Sequence, residues 1–200
     1  MIFVFDLDDT VCDTDSYSEE YILNYFKENN LPYKKITSIA RFAEKKFDWD
    51  MDTALNWYKQ NGDEMMLNFP CKEGAVELIN ELYDLGHIII IATARANDWH
   101  REPESITKEW LKKVGLKYNK LYIGRIDKEK ICEETNADFF IDDDVNITGK
   151  VGEYFASINV KKKSFIMSSE YNKTLKEDNM VIRVDSFIEF KNKLKELRAY

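Results

Sequence analysis

The sequence predicts an α/β fold built on a mostly parallel sheet, and three observations predict it. Residues 2–5 and 88–92, and Phe139–Ile141 within the strand 138–141, are short, continuous apolar runs, the texture of strands buried on both faces. From residue 73 onward such runs alternate with amphipathic helical patterns, the rhythm of β–α–β units. Residues 14–70 break that rhythm, because helical spacing dominates them. That stretch reads as an insertion after the first strand. The expected organisation is an α/β core over 1–13 and 71–200, with helices on both faces of the sheet, and a small helical cap over 14–70.

The elements follow in order. The IFVF run of residues 2–5 ends in Asp6 and forms the first strand. Tyr17, Tyr21, Ile22, Tyr25 and Phe26 then recur at helical spacing, after a Ser16…Glu19 capping box. Ile36, Ile39, Ala40, Ala43 and Phe47 repeat that spacing after Pro32 and predict a second helix. Residues 50–60 predict a third, broken at Asn61-Gly62, and 63–69 a short fourth. Ala75, Leu78, Ile79 and Leu82 mark a helix ended by Gly86, and the strand 88–92 follows. Residues 104–114 predict a helix stopped by Gly115. Strand 120–123, helix 128–136, strand 138–141, strands 164–167 and 181–184, and a closing helix 186–198 complete the chain.

Composition narrows the function. The 200 residues carry 29 Lys+Arg against 37 Asp+Glu, a formal net charge of −8. That balance disfavours nucleic-acid polymers and anionic membrane surfaces as partners. The longest apolar run, Ile88–Ala92, is far too short to span a bilayer, and the acidic N-terminus does not read as a signal peptide. Cys12, Cys71 and Cys132 are odd in number and far apart, which fits neither a disulfide framework nor a zinc ribbon. A cytoplasmic location is the expectation.

The chemistry concentrates at strand ends. The first strand ends in Asp6-Leu7-Asp8, the second in Thr93, and the strand at 138–141 in Asp142-Asp143-Asp144. In an open parallel sheet ligands bind outside the carboxyl ends of the strands, so these residues arrive at one edge. Lys128, which opens the helix after strand 120–123, joins them. Carboxylates packed this closely repel, and a divalent cation resolves the repulsion. An all-oxygen donor set suits Mg²⁺ rather than Zn²⁺. A lysine and a threonine hydroxyl facing that metal read as phosphate ligands. A carboxylate can act as a nucleophile, and a second one two residues along can serve as general acid and base.

The segment FVFDLDDTV resembles the first motif of the haloacid dehalogenase superfamily. IIIIATAR resembles its second motif, Lys128 its third and FFIDDD its acidic fourth, in the family's order and spacing. Within the superfamily, ADFFIDDDVNITG and the later FIMSSEYNK…VIRVDSFIEF are similar to the deoxyribonucleotidase-type 5′-nucleotidases and their bacterial relatives. The resemblance implies a Rossmann-like core. It implies Asp6 as nucleophile and metal ligand, and Asp8 as general acid/base that binds metal through its backbone carbonyl. Thr93 and Lys128 would hold the phosphoryl group, Asp142 would complete the metal site, and Asp143 would sit close behind. A carboxylate at position 8 matches the superfamily's phosphatases rather than its dehalogenases. Lys130 competes with Lys128 for the phosphate role.

The expected activity is thus Mg²⁺-dependent hydrolysis of a small phosphomonoester through an aspartyl-phosphate, with nucleoside 5′-monophosphates first. Another small phosphometabolite such as a sugar phosphate, or a member that only binds a phosphorylated ligand, are the alternatives. A phospho-acceptor receiver domain uses similar residues in a different order. Around this set, Asp9 and Asp144 read as solvated or capping acids, and Thr10 as satisfying nearby backbone. Cys12 reads as a small apolar residue and His100 as a surface residue. Arg95 lies where it could touch substrate. The insert's aromatics read as its own small core; Phe42 and Trp49 are the two that could face the site instead.

Overall fold

In a computed structural model the chain forms a six-stranded, wholly parallel sheet in the order β3-β2-β1-β4-β5-β6. The structure describes residues 1–97, 100–124, 126–159, 161–173 and 180–200. The strands are β1 (Ile2–Phe5), β2 (Ile88–Thr93), β3 (Lys120–Ile123), β4 (Phe139–Asp142), β5 (Lys163–Met167) and β6 (Val181–Val184). The helices are α1 (Thr14–Glu28), α2 (Met51–Leu67), α3 (Ala75–Asp84), α4 (Pro103–Val114), α5 (Lys128–Thr135), α6 (Val145–Ile158) and α7 (Phe187–Glu196).

The unbroken apolar texture of the central strands has a direct structural cause. Phe3, Phe5, Ile89, Ile91, Phe139 and Ile141 pack with Leu78, Ile79, Trp110 and Phe190 of α3, α4 and α7. Their neighbours Val4, Ile90, Ala92 and Phe140 face the other way, onto Ile131, Val151 and Phe155 of α5 and α6. Both sheet faces are covered, so alternate residues are equally apolar. The chain moves from β1 outward to β2 and β3, then crosses back to β4, so the order reverses between β1 and β4. That reversal opens a crevice at the carboxyl ends of these two strands.

The helical segment leaves after Asp13 and returns at Pro70. There the Asp13 N–H donates to the Pro70 carbonyl at 2.9 Å and the Lys72 N–H to the Val11 carbonyl at 2.8 Å. The two chain passages are thereby clipped together at the base of the segment. Its inner architecture differs from expectation at three places. The capping box at Ser16 is not used, since α1 begins at Thr14 with Asp13 at its N-cap. Residues 36–47 are not a helix beyond a 3₁₀ turn at Ala43–Lys46. The backbone there pairs across the loop, with Ile36 N–H on the Lys46 carbonyl at 2.8 Å and Asp48 N–H on the Lys34 carbonyl at 3.0 Å. Helix α2 also runs straight through Asn61-Gly62. Gly62 lies on the buried face of the helix, where burial of its neighbours Tyr58, Met65 and Met66 outweighs its poor helix propensity. The aromatics do form a shared core: Phe26 meets Trp49 with ring centroids 5.2 Å apart, and Trp57 meets Tyr58 at 5.2 Å.

Helix α6 is the element that the spacing of apolar residues had not suggested. Among the described residues, no helix is long and apolar enough to cross a membrane.

Candidate active site

The crevice between β1 and β4 holds a buried ionic cluster. Asp6 follows β1, and its N–H donates to the Ile141 carbonyl of β4 at 3.0 Å, which fixes the two strand ends side by side. Lys128 opens α5, and its Nζ donates to Asp6 Oδ1 and to Asp142 Oδ2, each at 2.6 Å. All three side chains are almost fully buried. The other Asp142 oxygen, Oδ1, accepts the Asp144 N–H at 2.8 Å. Lys130 lies elsewhere, exposed and 3.7 Å from Glu134 on its own helix.

Carboxylate oxygens of Asp6, Asp142 and Asp143 all lie within 4.8 Å of one another. Burial pushes the Asp6 carboxyl from an ordinary 3.8 up to about 7; Lys128 opposes this, while Asp142 and Asp8 add to it. Burial, then Asp142 and Asp6, raise Asp143 well above the usual range. Tyr171 donates its hydroxyl to the Asp143 carboxylate and Asn172 donates to the Asp143 carbonyl at 2.9 Å, so the second acid of the pair is anchored from the β5–β6 side. One ammonium does not neutralise three buried carboxyls. The site therefore fits a hard divalent cation, held by oxygen donors alone. Asp143, expected only close behind the metal site, places a carboxylate oxygen in the same cluster as Asp6 and Asp142.

Asp8 faces another way. Its carboxylate takes Arg95 Nε at 3.0 Å and Arg95 Nη2 at 2.7 Å, and the Thr14 hydroxyl at 2.9 Å. Burial alone would push this carboxyl up, but the Arg95 charge and hydrogen bonds outweigh it and hold it below its ordinary value. Arg95 is itself buried. Its guanidinium lies 5.6 Å from the Phe69 ring and 5.5 Å from Trp110, and Nη2 also contacts Cys12 Sγ at 3.3 Å. The Trp110 indole donates to the Phe69 carbonyl at 2.9 Å and locks that slot. Arg95 is thus a partner of Asp8, a role its place after the second motif did not disclose.

A cavity of about 290 Å³ runs from this cluster to the helical segment. Asp6, Asp8, Lys128, Asp142 and Asp143 line it together. Thr93 ends β2 beside them but is fully buried; its hydroxyl has no partner among the described residues, and it is not part of the cavity wall. The opposite wall comes from Asp15, Phe42, Glu44, Tyr58 and Phe69. Of the two aromatics that could face the site, Phe42 lines the cavity. Trp49 packs instead between Phe26, Phe47 and Trp57.

The surrounding residues divide similarly. Asp144 is the N-cap of α6, accepting from Asn146 N–H at 2.8 Å and Ile147 N–H at 3.1 Å, and it is ion-paired with Arg41. Asp9, at a left-handed φ of 53°, accepts the Asp15 N–H at 2.8 Å in the first turn of α1. Thr10 does not satisfy backbone through its hydroxyl, which is buried without a partner among the described residues. His100 is not a surface residue: its side chain is 11% exposed and it lines the cavity. Burial pushes its imidazole below the ordinary value, which favours the neutral form. Cys12 is a buried thiol, as expected of a small apolar residue.

A scan against protein-family models finds no match, and neither does a comparison with curated proteins. Solved structures share the fold over nearly the whole chain. A predicted phosphatase from Clostridium acetobutylicum superposes with a TM-score of 0.64 at 17% identity, covering 98% of each chain. A putative haloacid dehalogenase-type hydrolase from Bacillus subtilis, solved bound to magnesium, gives 0.63 at 14% identity over 97% of this chain and 98% of its own. A protein from Rhodobacter sphaeroides, solved as a mutant with xylulose-(1,5)-bisphosphate, gives 0.59 at 11% identity over 94% and 95%. The chain therefore has the α/β Rossmann-like fold seen in haloacid dehalogenase-type hydrolases and phosphatases.

Proposed function

We propose that this chain is a Mg²⁺-dependent phosphomonoester hydrolase that works through an aspartyl-phosphate on Asp6. The single observation that carries the reading is the buried Asp6–Lys128–Asp142 bridge beside Asp143, set at the sheet's reversal point and opening into a small cavity. Asp6, Asp142 and Asp143 would hold the cation, with the Asp8 backbone carbonyl added by family resemblance. When bound, the ion supplies positive charge that keeps Asp6 ionised and balances the phosphoryl oxygens.

The residues divide the work. An Asp6 carboxylate oxygen attacks phosphorus, the bond from phosphorus to the ester oxygen breaks, and the leaving oxygen takes a proton from Asp8. Asp8 then accepts a proton from the water that attacks the phosphorus of the aspartyl-phosphate, freeing phosphate and restoring Asp6. Arg95 presents Asp8 in its ionised form, ready for this second step; protonation of Asp8 before the first step loosens the pair. Lys128 places a fixed ammonium at the reacting oxygens; the Thr93 hydroxyl at the end of β2 lies behind the cavity wall and would need a shift to reach the phosphoryl group. The segment over 14–70 acts as a cap that covers the site and excludes bulk water.

Nucleoside 5′-monophosphates are the first substrates to test. The sequence resemblance supports them, and the Phe42, Tyr58 and Phe69 rings in the cavity wall suit a flat base. A sugar phosphate is the second reading. The cavity of about 290 Å³ favours it, because small-molecule sites usually start near ~300 Å³. A Mg²⁺-supplemented panel of nucleotides, deoxynucleotides and sugar phosphates separates the two. Hydrolysis is expected to stop in EDTA and in Asp6→Asn. A chelator-resistant activity would contradict the reading.

A further inference from the structure

The cavity wall opposite the acidic cluster carries a feature that the proposed chemistry does not use. Glu44 sits on the 3₁₀ turn and is 6% exposed. Its Oε2 accepts the Tyr58 hydroxyl at 3.2 Å. Its Oε1 is buried in the same cavity wall and has no hydrogen-bond partner among the described residues. Asp15 repeats the pattern nearby: Oδ2 accepts Lys46 Nζ at 2.6 Å, while Oδ1 is buried without a partner. Native proteins rarely bury carboxyl oxygens without a donor.

We infer that Glu44 Oε1 is the anchor of a leaving-group subsite that accepts a hydrogen bond from an O–H or N–H of the substrate, with Asp15 Oδ1 as a second acceptor. The inference rests on the phosphatase reading and adds the substrate's chemical class: a phosphomonoester whose leaving group is hydroxylated or carries an amino or amide N–H. Among the described residues, the buried cation beside this wall and the arginine that lines it are already engaged. Lys46 holds Asp15 and Glu19, and Arg41 holds Asp144. The wall therefore offers acceptors, and it disfavours a leaving group that ends in a second phosphate or a carboxylate. Burial raises the Glu44 carboxyl above its ordinary value. A site built to bond a substrate hydroxyl discriminates strongly against analogues lacking it, because its own polar group is then left unpaired.

The test compares kcat/KM for D-ribose 5-phosphate and deoxyuridine 5′-monophosphate with that for n-pentyl phosphate, in wild type, Glu44→Leu and Glu44→Gln. Wild type is expected to favour at least one donor-bearing ester by about tenfold or more. That ratio is expected to collapse toward one in Glu44→Leu, mainly through KM. The isosteric Glu44→Gln keeps the volume and a partner for Tyr58, and the ratio is expected to fall there by at least about threefold. An unchanged ratio in folded Glu44→Gln, or no preference in wild type, overturns the subsite while leaving the phosphatase reading intact. No turnover of any ester, p-nitrophenyl phosphate included, overturns both.

Discussion

Among the described residues, Arg95 and Lys128 are the buried cations that line the cavity, and they hold different carboxylates. Lys128 bridges Asp6 and Asp142, whereas Arg95 grips Asp8 through two nitrogens. A guanidinium fork sets the direction of a carboxylate in a way that an ammonium does not. Arg95→Lys is therefore expected to lower kcat about tenfold or more with little change in KM, because Asp8 stays charged but loses its aim. Steady-state kinetics check this, and equal loss in KM would contradict it. Asp6 yields a second expectation. The native carboxyl keeps its proton up to about 7, against 3.8 ordinarily. The native state thus binds more protons than the unfolded chain between those values, and its stability falls as pH rises through them. Without metal, Asp6→Asn is expected to be more stable than wild type at pH 8, with the gain shrinking toward pH 5; thermal melts check it. The motif residues were legible because strand ends converge by topology. Arg95's partner and the inward turn of His100 were not, since loop spacing does not say which way a side chain points.

At the scale of elements, the central strands and α3, α4, α5 and α7 could be read directly from apolar runs and caps. Gly115 at φ 72° ends α4 where the sequence placed the stop. Two elements resisted. Residues 36–47 show helical spacing, yet Ile36 and Ile39 are 55% and 62% exposed, so the spacing there does not mark a buried face. Cross-loop backbone bonds won, after Pro32 had interrupted the chain. Helix α6 has a buried face of Thr148, Val151, Gly152 and Phe155, but its glycines hide the pattern. Gly152 is required by close approach: a Cβ there would lie 2.8 Å from the Met180 carbonyl oxygen. Gly152→Ala is expected to cost about 1–3 kcal/mol through overpacking against backbone. For a chain of this size that is a fall in Tm of roughly 3–10 °C. A Tm equal to wild type would contradict the packing argument.

For the whole molecule, a three-layer core brings two chain-distant pairs of acids and one lysine to a single reversal point, and a helical segment clipped at 13 and 70 supplies far-wall residues of the cavity. The excess of acidic residues first served to set aside polyanionic partners. Part of that excess is the site itself, where Lys128 and the proposed divalent cation would reverse the local sign. The acidic cluster was legible because it depends on residue types at strand ends. The far wall of the cavity was not, because it depends on how α1, α2 and the 3₁₀ turn pack together. The central claim is that Asp6 carries the phosphoryl group. Acid quench during turnover of p-nitrophenyl phosphate with Mg²⁺, followed by peptide mass spectrometry, tests it most directly. The account predicts one phosphoryl group on the peptide containing Asp6 in wild type and none in Asp6→Asn. Rapid hydrolysis with no adduct in wild type, or an adduct that survives in Asp6→Asn, would contradict it.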